Sequence, residues 1–350
     1  MRPTTACAAA LWLAALVPAQ GFDLTPAPEL KKLNRLVGTW KNAGTLAPGP
    51  DATPMPWTST TTNRWVLGGH FLRERTLIEG DGIPGSLQFV NYIGWNKTRG
   101  TMMNYSVSNT GEIAVAPIHW TDDNTMVTAA TTAVQGQLQV DRWVTKLGTD
   151  TIEFVGMQAK GDGDFFVHVE GTGELTSRQP KKIETTDASF MADLTETPEK
   201  MTRFAGIAGE YQMKGWMVFM PGMPKMEISG SETVSPMFGK TIIRFLMKGD
   251  PIEMSPVLYE HEGYLAWDEA MGCYRTLFFN NMGEVAIDEC HMAGDRRLIM
   301  TNATPKNGQP TVARHVMEFD GDGAITKFWT HTIIADATPS KVFEADYEKQ

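Results

Sequence analysis

The sequence predicts an all-β protein built from two tandem antiparallel β-barrels, each preceded by a short N-terminal helix. Three observations lead to this prediction. The chain of 350 residues repeats one unit, short alternating apolar runs are separated by tight-turn signals, and glycine (33) and proline (20) are abundant while long helical periods are absent.

Residues 1–19 are typical of an export signal. Arg2 supplies the positive charge, residues 6–17 form a short apolar run, and Val17-Pro18-Ala19 offers the small residues that a signal peptidase needs. The apolar run is too short to span a bilayer, so we expect a secreted or periplasmic protein without a membrane span. A short uncleaved anchor is the alternative interpretation.

The net charge disfavours polyanionic partners. The chain has 31 basic and 41 acidic residues, which gives −10, and no run of lysine or arginine interrupts that balance. A nucleic-acid or anionic-lipid surface would repel such a protein, so we expect no nucleic-acid partner.

An internal duplication organises the chain. Five marks recur in order at an offset of 170 to 172 residues: "LVGTW" with "IAGEY", "LGGHFL" with "MFGKTI", "YIGWN" with "YLAWD", "SNTGEI" with "NNMGEV", and "RWV" with "RHV". Each copy also opens with Pro-Glu, which is helix-start chemistry. We therefore predict a first barrel over residues 24–178, a polar linker over 179–196 and a second barrel over 197–350.

The strands within each copy are joined by recognisable turns. "TMMNYSVSNTGEIAVAPI" and "CYRTLFFNNMGEVAIDEC" both consist of a strand, an Asn-x-Gly turn and a second strand. About 8–10 strands per copy favour a closed barrel, which leaves no exposed sheet edge.

These motifs carry a family resemblance. Gly38-Thr39-Trp40 after a short helix is similar to the opening of a calycin (lipocalin-like) barrel, and residues 209–246 resemble the bacterial domain-of-unknown-function family 1579, as does "VLGGHFL" in the first copy. The resemblance implies a calycin-like barrel in each copy and no established activity. It also suggests that the Arg178 side chain packs on Trp40 at the closed end of the first barrel, and that the second copy has no equivalent of this arginine.

His70 follows Gly68-Gly69 and could be a ligand or a base. The second copy has Lys240 at this position, so the repeat conserves Gly69 and Gly239 and not the imidazole. We interpret the glycine pair as a bulge or close-packing site within one barrel strand, and His70 as a bystander.

Methionines recur at a spacing of three in "MVFMPGMPKM": Met217, Met220, Met223 and Met226. Thioether sulfur suits Cu(I), so this cluster is a candidate metal site. Methionine is also a common apolar filler, which is the competing interpretation.

Cys273 and Cys290 flank one hairpin in a chain expected to be exported. A two-residue turn would place them opposite each other, whereas the bulged Asn-x-Gly turn would send them to opposite faces. The sequence leaves both outcomes open.

The leading functional hypothesis is non-catalytic binding of a small apolar or amphipathic molecule inside the barrels. The candidate ligand-binding residues are strand aromatics: Trp40, Trp65, Trp95, Trp143, Tyr211 and Trp267. The alternatives are a copper or haem protein, and an interaction module with filled barrels whose two repeats pack together. No nucleophile or metal motif predicts an enzyme, and neither ligand nor cofactor is identified by the residues.

Overall fold

The computed structural model describes most of the chain outside the expected signal. The described residues are 25–81, 86–109, 111, 113–134, 137–180, 199–218, 224–251, 258–269, 271–303, 309–335 and 337–350. The predicted signal peptide and residues 181–196 of the predicted linker lie outside this set.

The first barrel has ten strands, each antiparallel to its neighbours in sequence, and β10 closes the barrel by pairing with β1. The strands are β1 (Gly38–Leu46), β2 (Met55–Val66), β3 (Phe71–Glu79), β4 (Leu87–Asn96), β5 (Thr101–Ser108), β6 (Ile113–Trp120), β7 (Thr125–Val134), β8 (Gln137–Leu147), β9 (Thr151–Lys160) and β10 (Phe166–Ser177).

The second barrel repeats this topology, with β20 paired to β11. Its strands are β11 (Gly209–Met217), β12 (Met226–Met237), β13 (Ile242–Gly249), β14 (Glu260–Asp268), β15 (Cys273–Asn280), β16 (Val285–Met292), β17 (Arg297–Ala303), β18 (Thr311–Phe319), β19 (Ile325–Ile334) and β20 (Ser340–Lys349). The predicted fold class is therefore confirmed.

A short helical segment covers one end of each barrel. The first is a 3-10 helix, Pro28–Leu36, whose buried face packs into the barrel end, and the second is a single α-helical turn, α1 (Glu199–Thr202). The aromatic that opens each barrel is anchored here. Trp40 Nε1 donates a hydrogen bond to the Leu36 carbonyl at 2.8 Å, and the Tyr211 hydroxyl donates to the Ile207 carbonyl at 2.6 Å.

A basic side chain ties each covered end to the barrel wall. Arg178 Nη1 donates to the Arg35 carbonyl at 3.0 Å, and Lys349 Nζ donates to the Gly206 carbonyl at 2.9 Å. The expectation that the second copy lacks such a group is corrected, because Lys349 also lies over the Tyr211 ring. Lys349 stands 171 residues after Arg178, within the repeat offset, and the sequence comparison missed it because the residue is a lysine and not an arginine.

The Gly68-Gly69 pair does not lie inside a strand, so the prediction of a bulge there is wrong. Leu67–Gly69 forms a 3-10 turn that separates β2 from β3, and Phe238–Lys240 does the same in the second barrel. Gly68 and Gly239 have φ values of +67° and +66°, which a side chain disfavours. The structure therefore aligns Gly239 with Gly68 and not with Gly69, and it aligns Lys240 with Gly69 and not with His70. The repeated glycine is needed for this reversal of the chain.

The two barrels contact each other through equivalent surfaces. One buried cluster, here called the interface cluster, contains outward-facing side chains from β3–β6 and from β13–β15. At its centre the hydroxyls of Tyr92 and Tyr264, which occupy equivalent positions in the two copies, lie 2.8 Å apart. The Phe279 ring packs on Tyr92, with centroids 4.2 Å apart, and also contacts Phe71 and Tyr105. The duplication has therefore produced an interface with approximate two-fold symmetry.

Within the described part of the chain, no helix combines the length and the hydrophobicity needed to cross a bilayer.

Candidate functional site in the first barrel

The interior of the first barrel carries a continuous band of polar side chains on β1 to β5. We call this band the polar belt; it consists of Asn42, Thr61, Asn63, Glu74, Asn91 and Asn104. Strand alternation places these side chains on the inward face, whereas their chain neighbours Arg73 and Tyr92 face the second barrel. A polar interior is unusual, because barrel cores of this kind are normally apolar.

Side-chain hydrogen bonds connect the belt from strand to strand. Asn42 Nδ2 donates to the hydroxyls of Ser59 at 2.8 Å and Thr61 at 3.0 Å, and the Thr61 hydroxyl lies 2.9 Å from that of Thr76. Asn91 Nδ2 donates to Glu74 Oε1 at 2.7 Å. These contacts fix the positions of the belt side chains.

Several buried oxygen atoms of this interior lack a hydrogen-bond partner. They are the amide oxygens of Asn42, Asn63, Asn91, Asn104 and Gln158. The orientation of two amides is dictated by partners that can only accept, because Asn63 Nδ2 donates to the Leu36 carbonyl and Gln158 Nε2 donates to the Asp141 carboxylate. Their oxygens are therefore free to accept. A buried polar group without a partner costs about 1–3 kcal/mol, so this interior is suited to a molecule that supplies donors.

Glu74 is the titratable group of the belt. Its burial raises the pKa of the carboxyl above the ordinary value, and hydrogen bonds from Asn91 and Thr76 offset part of that rise. A second acid, Asp141, faces the same interior from β8, where Gln139 and Gln158 donate to it at 2.8 and 2.9 Å. The interior is thus rich in acceptors and contains two acidic side chains, while the belt contains no basic one.

Apolar clusters lie on both sides of the belt. At the covered end Leu72, Ile93 and Met102 pack with the 3-10 helix. Towards the other end Trp57 and Val169 are buried among partly buried apolar side chains. A molecule that satisfies all three zones would be amphipathic.

Glycines leave room opposite the belt. Gly156, Gly171 and Gly173 face inward from β9 and β10. A Cβ atom at Gly173 would lie 2.0 Å from Asn42 Oδ1, and one at Gly156 would lie 3.1 Å from the Trp143 ring. The absence of side chains at these positions makes space for the belt amide and for the indole.

The second barrel fills the same positions with apolar and aromatic side chains. Register places Phe245 and Phe278 where the first barrel has Glu74 and Ser106, and the two rings pack with centroids 5.8 Å apart. By the same register, Met213 and Val234 replace Asn42 and Asn63, and Tyr347 replaces Gly173. The second interior is consequently a packed core.

The polar groups that remain in the second barrel are paired. His261 Nε2 lies 3.1 Å from Glu232 Oε1. Asp288 accepts hydrogen bonds from Thr276, at 2.7 Å, and from Asn302. None of the buried side-chain atoms without a partner, among the residues described, faces the interior of this barrel. The two interiors therefore differ in their content of partnerless polar atoms.

His315 faces the second interior beside Asp288, with its Nε2 3.8 Å from Asp288 Oδ1 and its Nδ1 2.8 Å from the Thr330 hydroxyl. Burial lowers the pKa of the imidazole, and the Asp288 charge opposes this effect. Its counterpart in the first barrel is Trp143, which is 37 % exposed.

The predicted aromatic residues fall into two groups. Five of them lie at the covered ends: Trp40, Trp65, Trp95, Tyr211 and Trp267. Trp143 alone of the six lies on β8, where it is paired with Gly156 on the inward face. A ligand-binding role for the set stays a prediction.

The predicted methionine site is only partly described. Met217 and Met226 are direct partners on β11 and β12, so their side chains share the inward face. Met220 and Met223 lie outside the described residues. The described residues contain no group of three or more His, Cys, Asp or Glu side chains arranged to hold a metal ion. Copper binding stays a prediction.

The two cysteines are free thiols on opposite faces of the hairpin. The register pairs Cys290 with Tyr274, so Cys273 points away from it. This is the outcome of the bulged turn, in which Gly283 has φ +77° and its N–H donates to the Asn280 carbonyl.

A groove of about 460 Å³ lies on the outer side of β1 and β8–β10. Its charged lining residues Lys146, Glu153 and Glu170 are exposed, so it lacks the buried polar groups that mark the interior.

The sequence reasoning concentrated on aromatic residues and missed the polar belt. A position-by-position comparison of the copies could have found it, since Glu74 and Asn63 stand against Phe245 and Val234 at the repeat offset of 171.

Fold and site together define a tandem-barrel protein with one packed interior and one acceptor-rich interior. Residues 25–137, which span the 3-10 helix and β1–β7, match the family described as "Protein of unknown function (DUF1579)". The resemblance noted from the sequence is confirmed for this segment. No curated protein matches the sequence significantly.

Several solved structures are similar over most of the chain at 7 % identity. A protein of unknown function of the DUF3598 family from Nostoc punctiforme covers 93 % of this chain and 100 % of its own, with a TM-score of 0.27. A "putative outer membrane protein" from Bacteroides fragilis covers 91 % and 99 %, with 0.20. A "putative AttH" from Nitrosomonas europaea covers 88 % and 91 %, with 0.19. At these TM-scores the structures do not bear on function.

Proposed function

We propose that the protein is an exported, non-catalytic binding protein whose first barrel holds a small amphipathic molecule bearing N–H or O–H donors. The observation that carries this proposal is the set of partnerless amide oxygens on the inward face of the first barrel. A ligand that donates to them removes an unfavourable term of about 1–3 kcal/mol for each group it satisfies.

The charge of the interior refines the ligand class. Glu74 and Asp141 both face it, and the belt itself contains neither lysine nor arginine. A positively charged or neutral donor is therefore favoured over an anion. The apolar clusters on either side of the belt would contact the hydrocarbon or ring portion of the molecule.

The second barrel serves as the internal reference for this proposal. It has the same topology but carries Phe245 and Phe278 where the first has Glu74 and Ser106. Apolar filling of a barrel of this size leaves no place for a ligand.

The experiment introduces the aromatic side chains of the second interior at the equivalent positions of the first barrel. The double variant Glu74→Phe/Ser106→Phe is compared with the wild type by titration with dansylcadaverine, a fluorescent amine with an apolar ring system. We expect saturable enhancement of dansyl emission with the wild type, and at least a tenfold weaker response with the double variant. A matched control, Glu79→Phe, alters an exposed residue on the same strand and should bind as the wild type does.

Two results would contradict the proposal. One is equal binding by the wild type and the double variant while circular dichroism shows that both are folded. The other is a double absence: dansylcadaverine gives no saturable response with the wild type, and native mass spectrometry detects no small molecule that co-purifies with the exported protein.

A further inference from the structure

The interface between the barrels contains more buried positive than negative charge. Arg73 and Arg244 occupy equivalent positions in β3 and β13, and both bind Glu262 on β14. Arg75, two residues beyond Arg73 on the same outward face, is the third guanidinium group, and burial together with the charges of Arg73 and Arg244 lowers its pKa. Three guanidinium groups thus share this face with the single carboxylate of Glu262.

Glu262 has no acceptor capacity left for the third cation. Arg73 Nη1 donates to its Oε2 at 3.0 Å, while Oε1 accepts from Arg244 Nε at 2.7 Å and from Arg244 Nη2 at 2.5 Å. The Tyr264 hydroxyl adds a further hydrogen bond to Oε1 at 2.8 Å. A carboxylate offers about four lone-pair sites, so these donors fill it.

Donors therefore remain without acceptors. The Nε and Nη2 atoms of Arg73 and the Nε atom of Arg75 are buried and have no partner, and the Arg73 side chain is only 4 % exposed. Isolated buried charge is costly unless it is paired with an opposite charge. The carboxylate that would balance this surplus is missing because Val90 stands in the first barrel where Glu262 stands in the second.

A small void adjoins one of these residues, Arg75, at the contact between the barrels. Its volume is about 10 Å³, and its lining includes Arg75, Gln88 and Val90 of the first barrel and Phe238 of the second. A space of this size admits one water-sized particle. The Gln88 side chain is 2 % exposed and carries two N–H donors, one of which is directed to the Ser86 hydroxyl at 3.5 Å.

We propose that this void is a binding site for a monatomic anion of the chloride class, held by Arg75 and Gln88, while Arg73 on the same outward face adds positive charge nearby. The anion offsets the surplus positive charge and accepts the partnerless Nε–H of Arg75. Because Phe238 contributes to its wall, occupancy stabilises the packing of one barrel on the other. This site is separate from the first barrel's interior, and its existence does not depend on the proposed function.

Thermal unfolding of the full chain tests the proposal. We expect the Tm to rise saturably, by about 3–6 °C, when sodium gluconate is exchanged for sodium chloride at constant ionic strength. Arg75→Met should lose most of this rise. Arg142→Met, which removes an exposed arginine from the outer face of β8, should keep it.

Crystals of the wild type soaked in bromide locate the anion directly. This measurement does not require the Arg75→Met variant to fold. We expect an anomalous peak about 3.3 Å from the Arg75 guanidinium group. The proposal fails if the wild-type Tm is the same in chloride and gluconate, if Arg75→Met responds to chloride as the wild type does, or if the bromide map shows no peak in the void. In the last case the void holds water.

Discussion

Replacing Glu262 by alanine should be one of the most destabilising single substitutions in the described part of the chain. Glu262 is 4 % exposed and is the carboxylate on which Arg73 and Arg244 converge from the two barrels. Its removal leaves two buried guanidinium groups without a counter-charge.

The magnitude follows from the burial of the partners. Breaking a buried ion pair by removing one member typically costs about 3–5 kcal/mol, because the remaining charge is uncompensated. The Arg73 side chain is as buried as Glu262, whereas Arg244 is 18 % exposed and can be hydrated in part. We therefore expect a loss of about 3–5 kcal/mol and not the sum of two such pairs.

The dependence on pH supplies a second signature. Burial by itself raises the pKa of Glu262, but the charges of Arg244 and Arg73 outweigh it and hold the pKa below the ordinary value of 4.5. A depressed folded-state pKa contributes stability that is present above the unfolded value and is lost as the pH falls through the folded value. Glu262→Ala and Glu262→Gln should both remove this acid-dependent loss.

Urea unfolding followed by tryptophan fluorescence and by circular dichroism measures the effect. Glu289→Ala, which removes an exposed acid on β16, is the control and should change the free energy of unfolding by less than about 0.5 kcal/mol. A cost below about 1 kcal/mol for Glu262→Ala, with an unchanged pH profile, would refute the reasoning, since it would mean that solvent already neutralises both arginines.

Three further outcomes are expected. Phe279→Ala should cost about 3–5 kcal/mol by urea unfolding, because the fully buried ring contacts aromatic side chains of the other barrel, and a loss under 1 kcal/mol would contradict that packing. Glu74→Gln should flatten the pH dependence of stability above pH 4.5. A raised folded-state pKa gives stability that is full below the unfolded value and declines as the pH rises through the folded value. A decline that persists in Glu74→Gln would exclude Glu74 as its source. A reducing agent should leave the Tm unchanged, because the two described cysteines are free thiols. A thiol reagent should label Cys290 only after unfolding, because this thiol is fully buried and burial raises its pKa. Rapid labelling of Cys290 in the native protein would contradict this.

The barrel fold was predictable because its signals are local or repeated. The Asn-x-Gly turn, the helix-start chemistry before Trp40 and Tyr211, and the repeat itself are visible without knowing any contact between distant strands. The turn around Gly68 was misjudged as a bulge, because a glycine pair inside an apolar run is compatible with both a bent strand and a tight reversal.

The candidate site was less accessible to sequence reasoning. Asn42, Glu74 and Asn104 are ordinary polar residues in alternating strands, and an alternating pattern does not by itself tell which face is the interior. The functional hypothesis was based on the aromatic residues, yet most of them pack at the covered ends of the barrels.

The sequence alone determined that this chain is a duplicated antiparallel barrel protein, since turn chemistry and a repeated pattern act over a few residues. Only the tertiary structure decided which barrel has a polar interior and which outward faces meet between the barrels. Those properties depend on the register of strands far apart in the chain. A shift of one residue would turn Glu74 outward and bring Arg73 into the interior, exchanging the polar belt with the interface.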